Sequence, residues 1–231
     1  MGYFERLRSI ALETIAEIGG SEQRARLEEL GFEQLHRIVE PWSVPHLVSV
    51  LVARYAPLSR PFVWDLWNHF ASSPAMPYAA IQSWVRIMMP EDVVACYREL
   101  FAGQPGHTIA HNPHRDSWFS QALNMVNLWM ALGPVRHGNS ILLYPDVFGR
   151  PLRRSEKTIA WDQAVGLPVS YDLAPGDILM FSGEQLHSSE LNVSGLTRFV
   201  LSFRFTIGEP VYGDGQGRTP YLPLTGRAIP T

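Results

Sequence analysis

Past residue 106 the chain divides into short β-like runs at 107–111, 122–132, 140–144, 168–173, 177–181 and 197–207. Between them stand the turn pairs Gly133-Pro134, Gly138-Asn139, Pro145-Asp146, Pro175-Gly176 and Ser194-Gly195. Glycine supplies turn angles that other residues resist, and proline fixes φ and removes a donor, so such pairs break one run from the next. Strands at this spacing predict an antiparallel sandwich or barrel. No internal repeat or linker divides the 231 residues. All-β folds of roughly 200–250 residues often form one domain, so a single domain is expected.

The first half has a different rhythm. Leu7, Ile10, Ala11, Thr14, Ile15 and Ile18 recur at helical spacing over 3–18 and stop at Gly19-Gly20. Ser21 reads as the N-cap of a second helix to about Leu30. Residues 33–39 fit a short helix or a first strand, and 46–55 an apolar helix or a buried strand. Pro57, Pro61, Pro74 and Pro77 lie among Phe62, Trp64, Trp67 and Phe70. That mixture predicts connecting structure with a short helix over 63–70, a segment suited to covering an active site or to packing on the surface. Residues 85–89 read as a strand, and Pro90-Glu91-Asp92 opens a helix to about Phe101. The tail from Gly208 carries Gly213, Gly215, Gly217, Pro220 and Pro223 and is expected to be irregular. The reading is therefore mainly β with helices (α+β): a helical support layer with lid segments over 1–104, a β-barrel core over 105–207 and a tail over 208–231.

Composition removes several classes of function. A net charge of −3 with no basic run excludes nucleic acid and anionic membrane surfaces as expected partners. Residues 66–85 and 117–135 are free of formal charge. Pro74, Pro77, Gln121, Asn124, Asn127 and Pro134 interrupt them, whereas a membrane span needs about 20 predominantly apolar residues. Cys96 is the only cysteine, so no intrachain disulfide forms and a reducing cytoplasm is expected. The first six residues lack a signal-peptide core, and Arg6 stands where a myristoylation motif has Ser or Thr. A soluble protein with a small-molecule substrate is expected; oligomeric state is left open.

The chemistry concentrates in Asn112-Pro113-His114-Arg115-Asp116. A His and an Asp one residue apart on an extended chain project to the same side, because strand side chains alternate. They can offer an imidazole and a carboxylate to one metal, with His187 in Gly183-Glu184-Gln185-Leu186-His187 as the third ligand. Two His and one carboxylate leave one face of a metal open, the arrangement of non-haem Fe(II) oxygenases. Arg115, between two ligands, should point away. His111, at an odd offset from His114, should face the opposite side.

Three features occur in order: the His-X-Asp at 114–116, the strand start Pro175-Gly176-Asp177-Ile178-Leu179-Met180-Phe181 leading to His187, and Arg198 eleven residues later. Together they resemble the Fe(II)/2-oxoglutarate-dependent dioxygenases, in the phytanoyl-CoA dioxygenase-like branch, over roughly residues 105–207. The resemblance implies a double-stranded β-helix (jelly-roll, cupin-like) barrel. It implies Fe(II) held by His114, Asp116 and His187 as the catalytic centre, with 2-oxoglutarate and O2 as cosubstrates and succinate and CO2 released. The outcome would be hydroxylation, or another oxidation such as desaturation, of an aliphatic C–H bond. Halogenating relatives replace the carboxylate that Asp116 supplies, which argues against that reaction.

In the same family an Arg at the place of Arg198 pairs with the far carboxylate of 2-oxoglutarate, and a planar guanidinium suits that geometry. Ser189, two residues after His187, and Asn127 and Trp129 are expected beside the cosubstrate. Alternation puts Met125, Asn127, Trp129 and Ala131 on one side of their strand and Val126, Leu128 and Met130 on the other. Arg204 shares the parity of Arg198 but lies six residues on, about 20 Å along a strand. It is therefore read as an ion pair or a barrel-end contact. Trp118 and Phe119 are expected pocket walls for substrate, with segments 56–84 and 148–161. His36, His46, His69, His107 and His137 read as surface or hydrogen-bonded residues.

Two rivals remain. A cupin-type metal-dependent oxygenase or isomerase without 2-oxoglutarate would carry a His-X-His followed by Glu, which 114–116 does not match. A non-catalytic binding protein on the same barrel would have no use for three ligands and Arg198 together. The substrate expected is a free small molecule of a biosynthetic pathway.

Overall fold

Helical spacing in the first half becomes helices α1 (Tyr3–Gly19), α2 (Ser21–Leu30) and α3 (Val44–Phe70), followed later by the short α4 (Glu91–Cys96) and α5 (Arg98–Phe101). The computed structural model describes residues 2–70, 75–103, 107–213 and 218–225. Gly20 joins α1 to α2 at φ 101°, an angle that favours glycine. Gly20 is also the residue that caps α2; Ser21 is already helical and makes no capping bond, a correction to its expected role. Residues 33–39 lie within and just after a 3₁₀ turn, Phe32–Arg37.

α3 bears out the helix expected over 63–70 and overturns the reading of 56–62 as connecting structure. It runs 27 residues straight through Pro57 and Pro61. Each internal proline costs roughly 3 kcal/mol. Leu47, Leu51, Tyr55, Leu58 and Phe62 form one buried stripe of the helix, and burying such side chains stabilises by roughly 1.5–3 kcal/mol each. Packing therefore overrides local preference. Tyr55 also donates its buried hydroxyl to the Leu7 carbonyl of α1, at 2.9 Å. Tyr55→Phe should lower stability by about 1 kcal/mol, read from the denaturant midpoint at unchanged slope.

The strands are β1 (Pro77–Ala80), β2 (Trp84–Met88), β3 (Met125–Ala131), β4 (Ile141–Leu143), β5 (Arg154–Ser155), β6 (Thr158–Ile159), β7 (Val169–Ser170), β8 (Ile178–Ser182), β9 (His187–Ser189), β10 (Arg198–Ile207) and β11 (Tyr221–Pro223). The larger sheet runs β11-β1-β10-β3-β8, with β2 also pairing β10, and the smaller runs β7-β4-β9. The ladders in both are antiparallel. β5 and β6 form a separate hairpin.

Strand alternation then divides the core in two. Phe199, Leu201, Phe203 and Phe205 of β10, Leu128 and Met130 of β3, and Val85 and Ile87 of β2 pack with the helices on the outer face of the large sheet. Val200, Trp129, Ala131 and Phe181 turn inward to meet Ile141 and Leu143 of the small sheet. The result is the expected jelly-roll with an N-terminal helical layer. Arg198 and Arg204 share the parity of Val200, so both side chains enter the interior.

Several local expectations change. Residues 107–111 are not a strand; they string between β2 and β9, the His107 carbonyl accepting from Ile87 N at 2.8 Å and the His111 carbonyl from Ser189 N at 2.9 Å. The tail is not wholly irregular, because β11 pairs with β1. Gly215 and Gly217 of the tail, Pro74, and 104–106 lie outside the described residues. Among the described residues no helix is long and apolar enough to cross a membrane.

Candidate metal centre and cosubstrate site

Two separate stretches of backbone bring the ligands together. His114 N donates to the His187 carbonyl at 2.9 Å and His187 N to the His114 carbonyl at 3.0 Å, so the two residues face each other across an antiparallel bridge. Asp116 N donates to the Gly183 carbonyl at 2.9 Å. Gly183 permits that approach, since a Cβ there would lie 3.3 Å from Asp116 Cβ. One nitrogen or oxygen from each of His114, Asp116 and His187 lies within 4.8 Å of the others, and all three residues are buried.

Both imidazoles are fixed in the same sense. His114 Nδ1 lies 2.8 Å from the Asn112 carbonyl and His187 Nδ1 2.8 Å from the Gln185 carbonyl. A carbonyl can only accept, so each Nδ1 carries the proton and each Nε2 presents its lone pair inward. Burial, above all, holds both rings below the usual histidine range, with His187 adding to the effect on His114. Neutral imidazoles beside an ionised carboxylate are the donor set a divalent cation requires.

Asp116 is tied at both oxygens. Arg204 donates from an Nη to Oδ1 at 2.9 Å, and Asn127 Nδ2 donates to Oδ2 at 2.5 Å. Arg204 Nε also donates to Asn127 Oδ1 at 3.1 Å. Burial alone would raise the Asp116 carboxyl, but Arg204 first, then His187, His114 and Arg86, outweigh it and hold the group well below the usual carboxylate range. Asn127 thus lies against the candidate ligand carboxylate, and Arg204 is an ion pair at the centre of the site rather than at the barrel end.

Arg198 is 1% exposed. One Nη donates to the Asn139 and Ser140 carbonyls at 3.1 and 2.7 Å. The other donates to Ser189 Oγ at 3.2 Å and lies against the Met88 thioether, and Nε is buried without a partner. The guanidinium sits 5.5 Å from the centre of the Trp129 ring. Among the described residues no carboxylate forms a salt bridge with Arg198. Burial pulls its pKa down to about 9, with Arg86 adding to the effect, so it is still a cation at neutral pH. A buried cation with an idle donor fits the distal carboxylate of 2-oxoglutarate.

A cavity of about 20 Å³ joins the two ends of this site, lined by Arg86, His111, His114, Trp129, Ser189 and Arg198 among others. Arg86 was not singled out from sequence. It alternates with Val85 and Ile87 on β2, so a charge stands between two core residues and must face the interior. His111 corrects another expectation: its ring centre is 4.0 Å from that of His114. The chain bends at Pro113, so the parity argument does not apply there. Arg115 does point away, donating to the Val147 and Arg150 carbonyls at 3.1 and 2.7 Å.

Beyond His111 opens a cavity of about 830 Å³, lined by Ile109, Trp118, Phe119, Arg154, Glu156 and Lys157 among others. Trp118 and Phe119 are therefore placed at its wall, and the hairpin β5–β6 at its rim. α3, covering 56–70, contributes nothing to either lining; Trp84 stacks its ring 3.9 Å from the Arg204 guanidinium. Trp161, at 95% exposed, is not a wall residue.

The profile of the family described as phytanoyl-CoA dioxygenase (PhyH) matches residues 52–200, a span that holds His114, Asp116, His187 and Arg198. The fold is similar to the non-heme monooxygenase ThoJ in its apo form, at 14% identity and a TM-score of 0.50 over 96% of this chain and 77% of that one. It is also similar to SnoN, the non-heme alpha ketoglutarate dependent epimerase from nogalamycin biosynthesis, at 16% identity and 0.49 over 96% and 95%. AviO1 from Streptomyces viridochromogenes Tue57 aligns at 15% identity and 0.42 over 71% and 62%. No curated protein matches.

Proposed function

The chain belongs to the phytanoyl-CoA dioxygenase family, and from that premise we propose that it is an Fe(II)- and 2-oxoglutarate-dependent oxygenase that hydroxylates, or otherwise oxidises, an aliphatic C–H bond of a small molecule. One observation carries the reading: the two histidines of a buried His-Asp-His set, their Nε2 atoms turned inward, share a cavity wall with a buried arginine that has no carboxylate partner among the described residues. When bound, Fe(II) with 2-oxoglutarate and O2 supplies the oxidation, with succinate and CO2 as by-products.

The chain's own share is placement. The Asn112 and Gln185 carbonyls fix the two rings, and Arg204 with Asn127 fixes the carboxylate. Arg198 receives the distal carboxylate of the cosubstrate, Ser189 steadies the guanidinium, and Trp129 walls the space between. Met88, a flexible side chain lying against the Arg198 fork, moves aside when that carboxylate enters. Trp118, Phe119 and the β5–β6 hairpin bound the larger cavity, whose volume suits a small molecule. His111 stands between the two spaces, at the point where a substrate carbon would approach the metal.

The test needs no substrate. Under anaerobic conditions Fe(II) and then 2-oxoglutarate are added to the apoprotein, and a saturable visible charge-transfer band is expected that His187→Ala abolishes. Iron binding without the band would favour a metal-dependent oxygenase or isomerase that does not use 2-oxoglutarate. Failure of both to bind would leave a non-catalytic binding protein on the same barrel.

A further inference from the structure

We propose that Arg204 and Asn127 form a preorganised anion cradle that positions the metal-binding carboxylate, so that the cradle accepts a free carboxylate when Asp116 is removed. The proposal rests on the metal reading above. Its substance is the hydrogen-bond circuit. Arg204 and Asn127 are direct partners across the β10–β3 ladder. The Arg204 Nε bond to Asn127 Oδ1, at 3.1 Å, consumes the oxygen of that amide and leaves its Nδ2 to face Asp116. One donor then reaches each carboxylate oxygen, at 2.9 Å from Arg204 and 2.5 Å from Asn127. The Trp84 ring 3.9 Å from the Arg204 guanidinium holds it from another side. All three polar residues are at least 95% buried.

The arrangement has two consequences. A carboxylate has about four lone-pair positions, and the cradle uses one on each oxygen while leaving Oδ2 toward His187 Nε2, 3.7 Å away. The ligand is thereby aimed before any cation arrives. The donors also belong to β10 and β3, strands of the large sheet, and not to the Asp116 backbone. Deleting the Asp116 side chain therefore leaves two convergent donors beside two imidazole nitrogens, a place shaped for a small monocarboxylate. Arg204 is a positioning residue: it touches the ligand and not the metal.

Co(II), whose visible spectrum reports its coordination, is the probe, and formate the replacement ligand. The wild-type protein should bind Co(II) without regard to formate. Asp116→Gly should bind it weakly, and saturating formate should tighten binding by about tenfold or more, the worth of a charge-assisted pair of hydrogen bonds. Adding Arg204→Gln to Asp116→Gly should remove most of that gain. No formate dependence in a folded Asp116→Gly protein, or equal restoration in the double variant, would overturn the cradle. Should Asp116→Gly not fold, the single variants decide. Arg204→Gln should weaken Co(II) and alter its spectrum, with Arg204→Lys falling between it and wild type, and an unchanged spectrum and affinity in Arg204→Gln would overturn the proposal. A wild-type protein that binds no Co(II) would instead remove the metal reading on which this one stands.

Discussion

Arg198→Met is expected to leave Fe(II) bound and to weaken 2-oxoglutarate by roughly 2–5 kcal/mol, about 30-fold to several thousand-fold, as when one partner of a buried charge pair is truncated. The guanidinium is 1% exposed, a costly place for a cation unless an anion joins it. Its contacts orient it without neutralising it: two carbonyls, a hydroxyl and a thioether. The substitution should also be structurally mild. The Ser140 carbonyl keeps the amide of Glu190 at 2.9 Å, and methionine fills irregular space well. Arg198→Lys provides the graded control. It retains the charge but not the parallel donors, so its loss should be smaller than that of Arg198→Met. Titration of the anaerobic charge-transfer band with 2-oxoglutarate measures all three proteins. A band of unchanged midpoint in Arg198→Met would move the anchor elsewhere, with Arg86 as the remaining arginine on the cavity wall.

The sequence made the site's chemistry more legible than its geometry. The His-X-Asp spacing and the family resemblance together named the three residues that the fold brings within 4.8 Å, and period-two alternation over 125–131 sorted inward from outward side chains as the two clusters show. Alternation failed where the backbone is not extended. At His111 the bend of Pro113 turned an expected outward ring onto His114. Local preference failed where packing was stronger, as in α3, whose two prolines are overruled by a buried stripe. Arg204 was correctly placed about 20 Å along the strand from Arg198, but the site is not a point. The proposed cosubstrate end meets one end of β10 and the His-Asp-His end the other, so both arginines face the proposed site. Asn127 faces inward as alternation predicts, yet only the fold reveals that it pairs with Arg204 across the ladder and donates to Asp116. β9 and β11, three residues each, are too short for any periodicity to announce them.

Asp116→Ala should sharply weaken metal binding and, less obviously, destabilise the metal-free protein. The carboxylate is the buried counter-charge of Arg204, 2.9 Å away, and removing one member of such a pair costs about 3–5 kcal/mol. For a chain of this size that corresponds to a fall of roughly 6–20 °C in the midpoint of thermal unfolding. The loss comes from the stranded guanidinium and not from the missing ligand, so Asp116→Ala/Arg204→Met should recover much of the midpoint while its metal binding stays weak. pH supplies an independent check. The Asp116 carboxyl is held below its unfolded value, so its contribution is complete above about pH 5, where an unfolded aspartate is almost fully ionised. Below that it declines, because acid protonates the unfolded chain before the folded one. The stability gap between wild-type and Asp116→Ala apoproteins should therefore be constant from neutral pH to about pH 5 and narrow below pH 4. A gap that is absent in chelator-treated protein, or that widens in acid, would show that Asp116 stabilises the fold only through the metal it binds.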